Sequence, residues 1–226
     1  WKGGLLARRK PKIGRPPRDA AENGAPVRER ILNAAAAHFS ANGFPGARID
    51  GICQAADVSP RMIYHYYGDK SGLYVAVLES MLAELRAEEL KLRDDDATTA
   101  LDGLLNMFDF IYGHFGRRPD LVKILAGENL MQAQFLKSSV ATPLVASPVL
   151  DHIKTLLAKG KKDGTIVAEV DPLHLYAMMV ALCYFHRSNG YTFTQIFKVD
   201  VLANDWQRNH QHVARRMVRA FLTDAD

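Results

Sequence analysis

Residues 49–67, IDGICQAADVSPRMIYHYY, compress two short helix signals around a tight turn. Ile52, Ala56, Val58, Ile63 and Tyr66 fall where two short helices crossing steeply share apolar contacts, and Cys53 is small enough to let them cross closely. Asp57 stands where the turn needs a residue that tolerates positive φ; Gly is usual there, and Asp or Asn its common substitute. Ser59 is expected to cap the second helix and Pro60 to take its first position, where the missing N–H costs nothing. Two short helices joined in this way present a helix N-terminus that fits a DNA major groove. An ordinary corner between two helices is the competing reading of the pattern.

The surrounding residues narrow the choice. The run Val58-Ser59-Pro60-Arg61-Met62-Ile63-Tyr64-His65-Tyr66-Tyr67-Gly68-Asp69-Lys70-Ser71-Gly72-Leu73 resembles the signature of the TetR family, V-S-x-x-x-hydrophobic-Y-x-Y/F-F followed by x-x-K-x-x-L. Upstream, Arg30-Ile31-Leu32-Asn33-Ala34-Ala35 and Phe39-Ser40-Ala41-Asn42-Gly43-Phe44 resemble that family's first helix and its Gly-ended stop. The resemblance covers roughly residues 27–80 and departs at one point. Where the family places Thr or Ser to cap the second helix and touch a phosphate, this chain has Ala47-Arg48, so Arg48 is left to reach a phosphate by charge.

The chain has 226 residues, 48% hydrophobic and 24% charged, which suits a folded protein with a real core. Its net charge of +4 is unevenly spread. Residues 1–30 hold nine Lys or Arg against three acids, while the rest carries 20 against 22, so the cationic end adjoins the helix-turn-helix and favours a polyanion. Within it, Lys12-Ile13-Gly14-Arg15-Pro16-Pro17-Arg18 resembles an AT-hook core, in which proline keeps the backbone extended and Arg15 lies in a narrow minor groove. A basic tail adding only nonspecific affinity is the equal alternative. Cys53 and Cys183 suit neither a metal site nor a disulfide framework, which points to a reducing compartment, the cytoplasm. The longest apolar run, 175–185, is too short to span a bilayer, so no membrane association is expected. The start lacks both an initiating Met and a secretory apolar segment and reads as trimmed.

No strand-period segment or repeat stands out, and the expected fold is all-α: a flexible basic arm at 1–25, a helix-turn-helix domain at 26–70 and a larger helical domain at 71–226. The first helix should run over 26–42 with Val27, Ile31, Ala35 and Phe39 on one stripe, and a long helix from Asp69 or Lys70 to Leu92. Asp94-Asp95-Asp96 reads as a solvated turn. Helices follow over 98–116 and about 120–137; 138–148 reads as a loop or broken helix, and 149–162 is helical again up to Gly164. Asp171-Pro172 starts a helix to Ser188 that is apolar almost all round and so should be buried all round. The last helix, 204–222, carries Trp206, His210, Val213, Met217 and Phe221 on one stripe, with Arg215, Arg216 and Arg219 toward solvent.

For DNA, the exposed start of the second motif helix is expected to read bases: Arg61 bidentately on guanine, Pro60 or Met62 on a thymine methyl. Tyr64, His65, Lys70 and Arg48 are expected to meet phosphates, with Ser59 among the DNA-binding residues; Lys70 opposes its helix dipole, a mismatch that a bound anion would relieve. One motif binds weakly, so a homodimer on a near-palindromic double-stranded DNA operator is expected, with the 171–188 and 204–222 helices of two subunits forming a four-helix bundle.

The family resemblance implies that the larger half answers to a small-molecule effector. Pro172, Leu175, Tyr176, Tyr184, Phe185, Ser188-Asn189, Thr192, Ile196-Phe197 and His212 resemble a RutR-like or nicotinate-regulator-like subgroup, whose effectors are often aromatic or heterocyclic acids. From the residues themselves, Glu128, Asn129, Gln132, His186, Arg187 and Asn189 are polar groups inside apolar helices, and Phe108, Tyr112, Phe135 and Tyr184 would supply an aromatic wall. The competing reading gives the polar groups to one another and the aromatics to the core. No G-x-S-x-G, HExxH, paired carboxylates or phosphate-binding Gly loop is present, so neither an enzyme nor a cofactor or metal is expected. A helical transferase and an effector-independent architectural DNA-binding protein are the alternatives.

Overall fold

The computed structural model describes residues 24–92, 99–139 and 141–224. The basic arm with Arg15 and the acidic turn at 94–96 lie outside them. Among the described residues the fold is all-α: ten α-helices and one short 3₁₀ turn. None of these helices is long and apolar enough to cross a membrane.

Helix α1, Gly24–Gly46, buries Ile31, Ala35 and Phe39, and its regular course stops at Gly43, whose φ of 66° breaks the helix. Helices α2, Ile49–Ala56, and α3, Pro60–Tyr67, meet through Asp57 in the left-handed region, with φ 52° and ψ 54°. Their crossing buries Ile52, Cys53, Ala56 and Ile63, with Val58 and Tyr66 packed at its edge. Pro60 takes the first helical position, but the Ser59 hydroxyl makes no capping bond. Arg48 likewise precedes α2 without a side-chain cap.

Helix α4, Lys70–Lys91, is capped by Asp69, whose carboxylate accepts from the Gly72 N–H at 2.8 Å. A Cβ on Gly72 would land on the Tyr67 carbonyl oxygen, so this glycine lets α3 and α4 approach. Helix α5, Ala100–Arg117, begins at the Thr99 cap and lies at the centre of the larger half, against α7, α8 and α10. Leu101, Leu104, Leu105, Phe108, Ile111, Tyr112 and Phe115 all face inward as the spacing predicts.

Four sequence expectations are corrected. Helix α6, Pro119–Leu130, stops well short of 137. Gln132 and Ala133 both take positive φ, and the Glu128 carboxylate accepts from the Phe135 and Leu136 N–H groups at 2.9 Å, stabilising a turn that ends in a 3₁₀ segment at Leu136–Ser138. Helix α7, Thr142–Asp163, starts earlier than expected and runs through Pro148 to its left-handed cap at Gly164. Helix α8, Pro172–Ser188, has the predicted bounds and the Asp171 cap, yet in the single chain Leu173, Met178 and Phe185 are about half exposed. Helix α10, Asn204–Thr223, turns Ala214, Val218 and Leu222 inward, one position beyond the predicted stripe, while Val213, Met217 and Phe221 stay exposed. The reason lies on α5, whose Asp109 draws Arg215 to 2.8 Å and whose Asp102 lies 3.8 Å from Arg219; among the described residues Arg216 alone of the three arginines makes no ion pair.

The segment after α8 also folds: α9, Gly190–Phe197, leaves Tyr191, Ile196 and Phe197 exposed. Nothing in the sequence announces it, because neither a side-chain cap nor a buried apolar stripe accompanies it.

Candidate nucleic-acid interface and ligand cavity

Packing Ile63 into the crossing fixes the face that α3 shows to solvent. Pro60, Arg61, Tyr64 and His65 are exposed, Tyr64 by 52%, and Met62 is half-buried. Arg61 makes no ion pair among the described residues, so its guanidinium is available to an incoming acceptor. Tyr66 belongs to the inner side: the Arg28 guanidinium lies 4.9 Å over its ring. The Tyr67 hydroxyl donates to the Arg28 carbonyl at 3.3 Å, and Arg30 donates to the Ala56 carbonyl at 3.3 Å, which ties α1 to the motif. Arg48 and Ser59 are exposed on either side of the turn.

Lys70 occupies the junction between this motif and the larger half. Its amine lies 4.7 Å over the Phe44 ring and donates to the Pro45 carbonyl at 3.4 Å. Phe44 packs against Phe135 in a tilted arrangement at 4.3 Å, and Phe135 meets Tyr74 edge-on at 5.0 Å. The Tyr74 hydroxyl approaches the Ile124 carbonyl on α6 at 3.5 Å, and burial pushes its pKa up to about 12. An unbroken line of side chains therefore joins α6 to the start of α4.

The other face of α6 borders a cavity of about 530 Å³. Pro119, Val122, Lys123 and Ala126 form one wall, spaced as one helical stripe. The ends of α5 and α8 contribute Phe115, Gly116, Arg187 and Ser188, and Tyr191 with Leu202, Asn204 and Gln207 completes the lining. A volume of this size fits a small organic molecule.

Beneath the cavity lies a polar cluster on α5, α8 and α10. The Tyr112 hydroxyl donates to the Gln207 carbonyl at 2.7 Å, and His186 Nε2 lies 2.9 Å from the Gln207 side-chain oxygen. Burial pulls the His186 pKa down to about 4, with Arg187 and His210 pushing the same way, so the ring is neutral at pH 7. Trp206 stacks on His210 at 4.9 Å, and the His210 ring nitrogen lies 3.0 Å from the Leu182 carbonyl.

Of the polar and aromatic residues expected to hold an effector, only Arg187 lines this cavity, and the others do not gather at one place. Tyr112 and His186 lie directly behind it, with Phe108 6.1 Å from Tyr112 in the core. Tyr184 donates to the Val122 carbonyl at 3.2 Å and packs on Phe115, bracing the α6 wall. Asn189 donates to Phe185 and Ser188 at the end of α8. Glu128 holds the turn after α6, and Phe135 serves the junction with α1 and α4. Asn129 and Gln132 are exposed. Of the polar lining, Arg187 is among the polar groups that the sequence singles out within apolar helices, and Ser188 belongs to the subgroup resemblance; Lys123, Asn204 and Gln207 are the polar lining that sequence reasoning missed. Their signal was faint: a lysine on α6 and two amides at the start of α10.

Among the described residues, an all-helical fold with an exposed motif helix and a separate cavity is the form of a helix-turn-helix DNA-binding protein, and comparison with known proteins gives the family. Residues 31–77 match the bacterial regulatory proteins of the tetR family, and residues 101–218 match the tetracyclin repressor-like C-terminal domain. The HTH-type transcriptional repressor NicS of Pseudomonas putida is 34% identical over 175 residues, 77% of this chain and 82% of that one. The HTH-type transcriptional regulator RutR of Escherichia coli is 30% identical over 155 residues, 68% and 70% of the two chains. In fold the chain is similar to Salmonella enterica GusR, with a TM-score of 0.66 at 20% identity over 91% of this chain and 100% of the other. It is also similar to Bacillus subtilis FadR solved in complex with stearoyl-CoA, with a TM-score of 0.62 at 14% identity over 86% and 98%. The chain belongs to the TetR family: it is a DNA-binding transcriptional regulator and not an enzyme.

Proposed function

We propose that the protein is a homodimeric repressor that leaves a near-palindromic operator when a small-molecule effector enters the 530 Å³ cavity. The observation that carries this reading is that α6 serves both ends. One face lines the cavity, and the other reaches Tyr74, Phe135 and Phe44, hence Lys70 and the motif. An occupant that moves α6 by a fraction of its own width would shift the start of α4 and with it the separation of two recognition helices, a coupling that must be reciprocal between effector and DNA.

In this reading residues 26–70 bind DNA, and 71–226 hold the effector and the partner subunit. Arg61, with Pro60 and Met62, reads bases; Arg48, Ser59, Tyr64, His65 and Lys70 position the phosphates. Arg15 would add a minor-groove contact beside them. The effector is an aromatic or heterocyclic acid, as the subgroup resemblance suggests, and the compartment is the cytoplasm. The partner covers the face where Met178 and Leu182 of α8 and Met217 and Phe221 of α10 line one apolar groove, since exposed apolar surface of this kind is what dimer interfaces bury.

Selection of bound duplexes from a random pool tests the proposal. The expected product is an inverted repeat whose half-site centres lie a whole number of helical turns apart, about 10 base pairs or a multiple. Enrichment of A/T-rich DNA without symmetry would favour an architectural role and contradict it.

A further inference from the structure

Arginines of the larger half that touch its core are paired: Arg86 with Glu89, Arg118 with Glu84 and Asp120, Arg215 with Asp109. Arg187 is different. Among the described residues no carboxylate comes within ion-pair reach of it, although it is half-buried on the cavity wall. Its neighbours are neutral: the Cys183 carbonyl accepts at 2.9 Å, His186 Nε2 lies at 3.0 Å, and the Tyr112 ring lies 4.4 Å beneath the guanidinium. His186 is uncharged at pH 7 and offers no compensation.

The rest of the lining points the same way. Lys123 is a second cation at the wall, and among the described residues no Asp or Glu lines the cavity. Gly116 leaves room for the guanidinium, because a Cβ there would sit 3.1 Å from Nη2 of Arg187. A cation partly withdrawn from water with no counter-charge is unfavourable, and its burial holds the Arg187 pKa below the usual range. A planar guanidinium fork matches a carboxylate bidentately. Phe115 and Tyr191 offer aromatic surface to the remainder of such a ligand, and Asn204 and Gln207 can bond its polar edge.

Resting on the reading of this cavity as the site of an acidic effector, we infer that Arg187 is the residue that binds the ligand's carboxylate. The charge of the ligand, and not only its shape, is then what the site selects.

Matched acid and amide pairs test this on the full chain at pH 7.5: benzoate with benzamide, pyridine-3-carboxylate with its carboxamide, and phenylacetate with phenylacetamide, followed by calorimetry and thermal shift. At least one acid should bind and raise Tm while its amide at the same concentration does not. Arg187→Gln should weaken that acid tenfold or more, with Arg187→Lys intermediate; Ala126→Phe, which fills the opposite wall, should abolish binding. Equal binding of acid and amide, unchanged affinity in Arg187→Gln, or no acid binding at all overturns the inference. If an amide binds and Ala126→Phe removes it, the cavity stands as the effector site and only the carboxylate assignment falls. Acid binding that survives Ala126→Phe places the ligand elsewhere and overturns both. Should Arg187→Gln fail to fold, the acid and amide comparison on the unaltered chain decides alone.

Discussion

Arg61 and Lys70 are both cations beside the motif, but their surroundings differ, and in the proposed reading so do their tasks. Arg61 stands exposed in the first turn of α3 with no ion pair among the described residues, and in the proposed reading its fork lies on a base edge. Lys70 is half-buried against Phe44 and the Pro45 carbonyl, so it is held at one height above the helix start. Arg61→Ala should therefore cost about 1–3 kcal/mol on the selected operator and little on a scrambled duplex. Lys70→Ala should weaken both duplexes alike and reduce the dependence on salt by about one phosphate. Fluorescence anisotropy on the two duplexes across a salt series measures both; the same loss for each variant on each duplex contradicts the assignment. Residue identity was legible here because the motif's roles follow from local spacing: Asp57 takes the positive φ that its place in the turn demands. The Ser59 hydroxyl was misjudged as a cap, since Pro60 already supplies the preset backbone and leaves one fewer N–H to satisfy.

At the scale of elements, the approach of α3 to α4 depends on Gly72. Its N–H is spent on the Asp69 cap, and its missing Cβ is the space that the Tyr67 carbonyl oxygen occupies. Gly72→Ala suits a helix by propensity, yet it should destabilise the chain by about 1–3 kcal/mol, because backbone must move to admit the methyl group. A lower denaturant midpoint with an unchanged m-value checks this; a stabilised variant would show that α3 and α4 separate without cost. Helices with strong stripes and caps, such as α5 after Thr99 and α8 after Asp171, were readable almost to the residue. Those decided by tertiary contacts were not. Helix α6 ends where the buried Glu128 carboxylate captures two N–H groups, and α10 is turned by acids on α5 more than a hundred residues away in sequence. The cavity escaped for the same reason: its lining comes from α5, α6, α8, α9 and α10, and no single segment carries its signature.

For the whole molecule, the weightiest feature is the apolar face that one chain leaves uncovered. Periodicity alone suggested that α8 is buried on every side, whereas in the single chain Leu173, Met178 and Phe185 are about half exposed, and in the proposed dimer the second copy would cover this face. Met178 on α8 and Met217 and Phe221 on α10 lie together along one groove, and Phe185 and Tyr191 stay exposed near the end of α8. Two recognition helices fixed relative to each other across such an interface bind an inverted repeat with the energy of both half-sites, and one chain alone has half of it. Met217→Glu places a charge in the middle of that face without touching the core of a single chain, since Met217 is 57% exposed. The decisive measurement is sedimentation equilibrium of the unaltered chain and of Met217→Glu, each alone and with the selected duplex. The account predicts a dimer that binds one duplex per two chains, and a folded monomeric variant whose affinity is at least about a hundredfold weaker. A monomer that binds the duplex as tightly as the unaltered chain, or an unaltered chain that is monomeric and indifferent to DNA at low salt, would contradict it.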